Sequence, residues 1–161
     1  MAIPALRRVK SATLDWLTDE IGAGVAVALE RAEDEPFRDE ELPLVNISCE
    51  DVSYNFPAYG TCDHTVGMVF DIYAPSTGAS TISADQAMIA SAINNRIEAR
   101  DATPGALGYY LMAAAPVALG PDRDEYRLSD HGRIRFVWTF AFRTPATDFN
   151  SICAADGSTV S

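Results

Sequence analysis

The chain has 161 residues, 48% of them hydrophobic, and a formal net charge of −11. That length suits one domain with a real core rather than two, and the composition is not that of a disordered chain. So acidic a balance argues against a protein that grips nucleic acid, because phosphate binding rests on lysine and arginine; it remains compatible with one that DNA passes without adhering.

Pro4 suits the first turn of a helix. Leu6, Val9, Thr13, Leu14, Leu17 and Ile21 then mark one helical face, which predicts a helix from about Ile3 to Asp19, stopped by Gly22 and Gly24. Val25, Val27 and Leu29 alternate with Ala26, Ala28 and Glu30, the pattern of a short strand. Residues Glu30 to Glu41 hold seven acids against two arginines and read as a solvated loop, with Pro36 and Phe37 interrupting the charge.

The stretch from Leu42 to Tyr73 predicts a two-stranded ribbon. Val45, Ile47 and Cys49 point one way, opposite Asn46, Ser48 and Glu50. Val66, Met68, Phe70 and Ile72 share a face, opposite Thr65, Gly67 and Asp71. Period-two alternation marks half-buried antiparallel strands. The ribbon tip lies near Asn55 to Cys62.

Pro75 to Gly78 has turn chemistry. Ser83 and Gln86 have the spacing of a capping box, and Ile82, Ile89, Ile93 and Ile97 recur at helical spacing, predicting a second helix from Ser83 to Arg100 that covers the sheet. Tyr109 to Leu119 reads as a buried strand, with Pro116 at a bulge or edge. Residues Pro121 to Gly132 form a polar connection. The last strand sets Ile134, Phe136, Trp138, Phe140 and Phe142 against Arg133, Arg135, Thr139 and Arg143. Residues 1–145 are therefore expected to form one α+β domain, with a mixed or antiparallel sheet of about five strands and two main helices packed on it. Residues 146–161, small and polar, read as a flexible C-terminal tail.

Sites of chemistry are hard to find. Cys49, Cys62 and Cys153 match no C-x-x-C or zinc spacing and read as reduced thiols of a cytosolic protein, with Cys49 a small core residue. Cys62, Asp63 and His64 suggest a nucleophilic triad, but neighbours on a strand point to opposite faces and cannot converge. His131 reads as a turn residue. No phosphate-loop, dinucleotide or nucleophile-elbow motif is present, and no cofactor is implied. No apolar run approaches the ~20 residues that span a membrane, and no signal peptide is apparent. The Asn46-Ile47-Ser48 sequon falls inside a predicted strand and reads as coincidence. The expectation is a protein that acts through surfaces rather than as an enzyme.

This order of elements resembles that of the tail terminator proteins of long-tailed bacteriophages, the group that includes the lambdoid minor tail protein. The residues that carry the resemblance are the N-terminal helix and short strand, the acidic loop ending in Leu42-Pro43-Leu44-Val45, and the strand holding His64 and Phe70-Asp71-Ile72-Tyr73. The Asp85-centred helix and the closing aromatic strand from Trp138 to Phe142 complete it, so that it spans about residues 5 to 144. The chain departs from the pattern in its long polar 121–132 connection. The resemblance implies a non-enzymatic virion protein at the tail–neck junction, assembled in the host cytoplasm. It implies a homo-oligomer, a hexameric ring that caps the tail tube, stops addition of tube protein and meets the head–neck connector while DNA passes through. Other neck, head-completion or baseplate proteins, or a small-ligand-binding or enzymatic α+β domain, are the alternatives. The expected contact residues, read from this sequence, are Glu33, Asp34, Glu35, Asp39, Glu40 and Glu41 in the acidic loop and Tyr54, Phe56 and Tyr59 at the ribbon tip, where exposed aromatics favour interfaces.

Overall fold

In the computed structural model the described residues are 4–21, 24–31, 38–56, 60–75, 86–95, 113–116, 131–154 and 158–160. The elements in chain order are α1 (Ala5–Glu20), β1 (Ala26–Leu29), a 3-10 turn (Asp39–Glu41), β2 (Leu44–Asn55) and β3 (Thr61–Pro75). A helix α2, described over residues 86–95, comes next, followed by β4 (Ala113–Pro116), β5 (His131–Pro145), β6 (Ile152–Cys153) and β7 (Thr159–Val160). The molecule is α+β, with one mixed sheet in the order β1-β2-β3-β5-β6-β7 and β4 also paired to β5. Among the described strands only β1 and β2 run parallel; the other pairs are antiparallel. Five strands have four residues or more, as expected, and the two-residue β6 and β7 add to them.

The two long alternating runs of the sequence make the centre of this sheet. β3 is paired along its whole length with β5, from Thr61↔Pro145 to Pro75↔His131, and with β2 on its other side. One face carries the core. Val45, Ile47, Val66, Met68, Phe70 and Ile72 form a single cluster with Trp138, Phe140 and Phe142 from β5, Val9, Trp16 and Leu17 from α1, and Ile89 and Ile93 from α2. The ring of Phe70 meets Trp138 edge-on at 5.2 Å. Gln86 of α2 is buried and its amide donates to the Ile72 carbonyl at 3.1 Å, fixing that helix over β3.

β3 was expected to be half-buried. Instead Val69 and Asp71, on the face opposite the core, are 2% exposed. An aspartate tolerates this because the register places Arg135 directly across from it, and Arg135 donates twice to its carboxylate. Asn46, on that same face, is also buried. Its amide accepts from Arg31 N (3.0 Å) and donates to Arg31 O (3.2 Å), so its side chain acts as a short stretch of strand edge. The Asn46 sequon is accordingly inside the sheet.

The chain after Pro145, expected as a flexible tail, instead turns back onto the sheet. Asp148 organises the turn by accepting from Asn150 N (3.0 Å) and Ser151 Oγ (2.5 Å). Ile152 follows, fully buried. A single apolar side chain with a core site is enough to recruit a segment whose composition otherwise reads as tail. The turn also holds α1, because Ala5 N donates to Phe149 O at 3.0 Å and so satisfies one of the open N–H groups of the helix start.

Of the second predicted helix, residues 83–85 and 96–100 lie outside the described residues, as do the acidic residues 32–37 and nearly all of the 121–132 connection.

Candidate interaction surface

β2 is the strand on which both groups of candidate contact residues hang. Its first four residues are flanked by β1 on one side, from Ala26↔Leu44 to Leu29↔Ile47, and by β3 on the other. Beyond Ile47, no described strand pairs with that outer edge, although β2 runs on to Asn55. Exposure rises along the strand accordingly, from buried at Leu44–Ile47 to exposed from Asp51 onward.

The change coincides with a β-bulge. Between Glu50↔Gly67 and Ser53↔Thr65, β2 has two residues, Asp51 and Val52, where β3 has Val66 alone. Asp51 takes up the extra residue in the left-handed region, at φ +50°, a conformation that aspartate tolerates better than most residues. One inserted residue reverses the parity of a strand. Val45, Ile47 and Cys49 face the core in odd positions before the bulge, Val52 and Tyr54 continue that face in even positions after it, and Phe56 follows just past the strand end. Past the core these three are left open, at 40%, 60% and 62% exposed.

Tyr54 is not a loose side chain. Its cross-strand partner is His64, whose imidazole lies edge-on to the tyrosine ring at 5.1 Å. His64 stacks flat on Phe142 at 4.8 Å and meets Phe149 edge-on at 5.0 Å; Phe149 in turn stacks parallel to Tyr54 at 6.2 Å. The imidazole Nε2 and Thr144 Oγ1 are 2.8 Å apart in a buried hydrogen bond. Burial pushes the His64 pKa below its usual 6.5, against the opposing pull of Asp63. This cluster fixes the ribbon end and the C-terminal turn to each other. Ala146 N, donating to Gly60 O at 2.9 Å, does the same through the backbone.

The supposed triad of Cys62, Asp63 and His64 does not form. Asp63 faces away and accepts two hydrogen bonds from Arg143, at 2.6 and 3.0 Å, which holds its carboxyl below the usual range. His64 is committed to Thr144. The three cysteines are free, and burial raises the Cys49 thiol to about 11.

The described acidic candidates, Asp39, Glu40 and Glu41, sit at the opposite end of β2. Asp39, Glu40 and Glu41 form the 3-10 turn just before Leu44. Glu41 accepts from Arg38 N at 2.8 Å and from Arg31 Nη2 at 3.3 Å, which lowers its pKa, with the Arg38 backbone contact as the largest cause. Glu40 is exposed and lies 3.7 Å from the equally exposed Arg38. Ten residues of strand separate Leu44 from Tyr54, a span on the order of 30 Å. Glu33, Asp34, Glu35 and Tyr59 lie outside the described residues, as does the side chain of Asp39.

Sequence patterning did not single out Val52 and Phe149 on this surface, nor the buried His64 that supports it. For Val52 the signal was present, in the shift of apolar residues from odd to even positions. For His64 and Phe149 there was none, because their proximity depends on a turn that no periodicity announces.

The sequence matches no family model and no curated protein. Among solved structures the chain is similar to one from the virion of the native gene transfer agent (GTA) particle. The TM-score is 0.46 and the identity 15%, over 89% of this chain and 96% of that chain.

Proposed function

We propose that the chain is a virion structural protein that forms a ring on the end of a phage tail tube, ends tube polymerisation and presents its other side to the head–neck connector. The observation that carries the reading is the polarity of β2. One end bears a carboxylate-rich turn and the other, past the acidic pair Glu50-Asp51, a tip with the apolar and aromatic Val52, Tyr54 and Phe56 open to solvent. A cap must offer two unlike faces, one to the tube and one to the next component, and a subunit with chemically opposite ends provides them. The order of elements that resembles the tail terminators supports the same reading.

The protein acts by contact rather than by catalysis in this account. The acidic balance has a role as well: carboxylates facing a DNA passage repel phosphate and keep the passing duplex from adhering.

Deletion of the gene from the producing particle tests the proposal. Over-long tails are the expected result. Tails of normal length that fail to join heads would point to a joining role, and particles with no tails at all would contradict termination.

A further inference from the structure

The same end of the sheet finishes in two open edges. On one side is β2 from Ser48 to Asn55, paired with β3 on its inner edge and with no described strand on its outer edge. On the other is β7, which pairs with β6 through Ile152↔Val160 and Cys153↔Thr159 and with no other described strand. β6 joins β5 at Arg143, and Arg143 lies opposite Asp63 of β3, which lies opposite Asn55 of β2. One row of residues therefore runs across the sheet from the open β2 edge to the open β7 edge.

The two edges also agree in their faces. Tyr54 and Val160 both lie on the core face, Tyr54 through His64 and Phe142 and Val160 packed against the central cluster. On the other face lie the polar Asn55 and Thr159, in register with Asp63 and, through Cys153, with Arg143. Joining one edge to the other continues an apolar face with an apolar face and a polar face with a polar one. Charge argues the same way. The β2 edge carries Glu50 and Asp51, so two β2 edges placed together would gather four carboxylates on one short ladder, which is unfavourable. Thr159 and Val160 bring no charge to the pairing.

We propose that copies of this chain join head to tail by strand addition, the open half of β2 in one copy pairing with the outer edge of β7 in the next. An open strand edge with unpaired N–H and C=O groups is a ready template for such pairing. Because the two edges differ, the contact is heterologous and closes into a ring when the rotation per copy permits. The inference rests on the ring reading above and specifies the contact that would close it.

Cross-linking with a short bismaleimide tests the contact. The variant is Asn55→Cys with Thr159→Cys in a Cys49→Ser, Cys153→Ser background that leaves only the fully buried Cys62. It is treated at high concentration, alone and on purified tail tubes. The expected product is a ladder of covalent dimers, trimers and higher species that stops at the size of the ring, while each single-site variant gives none. Dimers from Asn55→Cys alone would show β2 meeting β2 and overturn the proposal, as would the absence of any ladder in both settings. Val52→Lys, which places a charge on the exposed edge, is expected to weaken self-association at least tenfold; unchanged association would also count against it. The ring contact and the capping role fail separately. A chain that blocks tube growth without forming the ladder loses only the strand-addition contact. One that forms the ladder while tubes continue to grow retains the contact and loses the capping role.

Discussion

Asp71 and Arg135 face each other across β3 and β5 and are joined by two parallel hydrogen bonds, Nε to Oδ1 at 2.7 Å and Nη2 to Oδ2 at 2.9 Å. The aspartate side chain is 3% exposed and the arginine 30%. A buried carboxylate matched by a guanidinium fork is strongly destabilised by loss of its partner, because the remaining charge stays desolvated. Arg135→Met is expected to cost about 3 kcal/mol, and the double variant Asp71→Leu, Arg135→Met less than either single change. Urea unfolding of the four proteins checks this; additive losses would show that the pair does not act as a unit.

The His64 cluster predicts a pH dependence. Its aromatic neighbours Tyr54, Phe142 and Phe149 and its hydrogen-bond partner Thr144 are uncharged, and burial disfavours the imidazolium in the folded state. Above the unfolded value near 6.5 the ring is neutral in both states and contributes no pH dependence. As pH falls through 6.5 the unfolded chain takes up the proton first, so stability declines until the lower folded pKa is passed. Thermal unfolding between pH 7.5 and 5 is expected to show this decline in the native chain and not in His64→Phe. An equal decline in both would place the titrating group elsewhere.

A second window lies lower. Asp63 is held below its usual 3.8 by Arg143, so the stability it contributes is present above that value and lost as pH falls through the folded pKa. The pair is partly open to solvent, at 21% and 36%, which limits it to about 0.2–1 kcal/mol. Asp63→Asn is expected to flatten the acid limb of the stability curve by that amount, measured between pH 5 and 2.5.

Much of the fold can be read directly from the residues. Val9 and Leu17 on one helical face, and Val66, Met68, Phe70 and Ile72 on one strand face, are all fully buried where the periodicity places them. Periodicity could not reveal what register alone creates. Asp71 reads as a polar residue on an open face until β5 brings Arg135 opposite it. β6 and β7 have two residues each, too short for any pattern, and Ile152 enters the core only because the Asp148 turn aims it there. The candidate surface divides in the same way. Tyr54 and Phe56 were legible as exposed aromatics. The open edge beside them was not, since it exists only because β1 stops at Leu29.

The bulge gives a sharper backbone prediction. Asp51 sits at φ +50°, where a β-branched residue is strained. Asp51→Val is expected to destabilise by about 1–3 kcal/mol, with Asp51→Gly near neutral. Gly67 lies across the same irregularity, and an added Cβ would stand 3.1 Å from Glu50 Cγ, 3.3 Å from Glu50 O and 3.3 Å from Val137 Cγ1. Gly67→Val is therefore expected to cost about 1–3 kcal/mol by overpacking. Chemical denaturation of the three variants settles both points; tolerance of Asp51→Val would mean that the bulge can relocate.

The central claim is that this chain caps a growing tail tube. The direct measurement is the length of tubes, seen by electron microscopy, after the purified chain is added to the polymerising tube protein of the same particle. The account predicts tubes that stop growing, bear added density at one end and do not lengthen when more tube protein is supplied. Tubes that keep growing, with a length distribution unchanged by the chain, would contradict it.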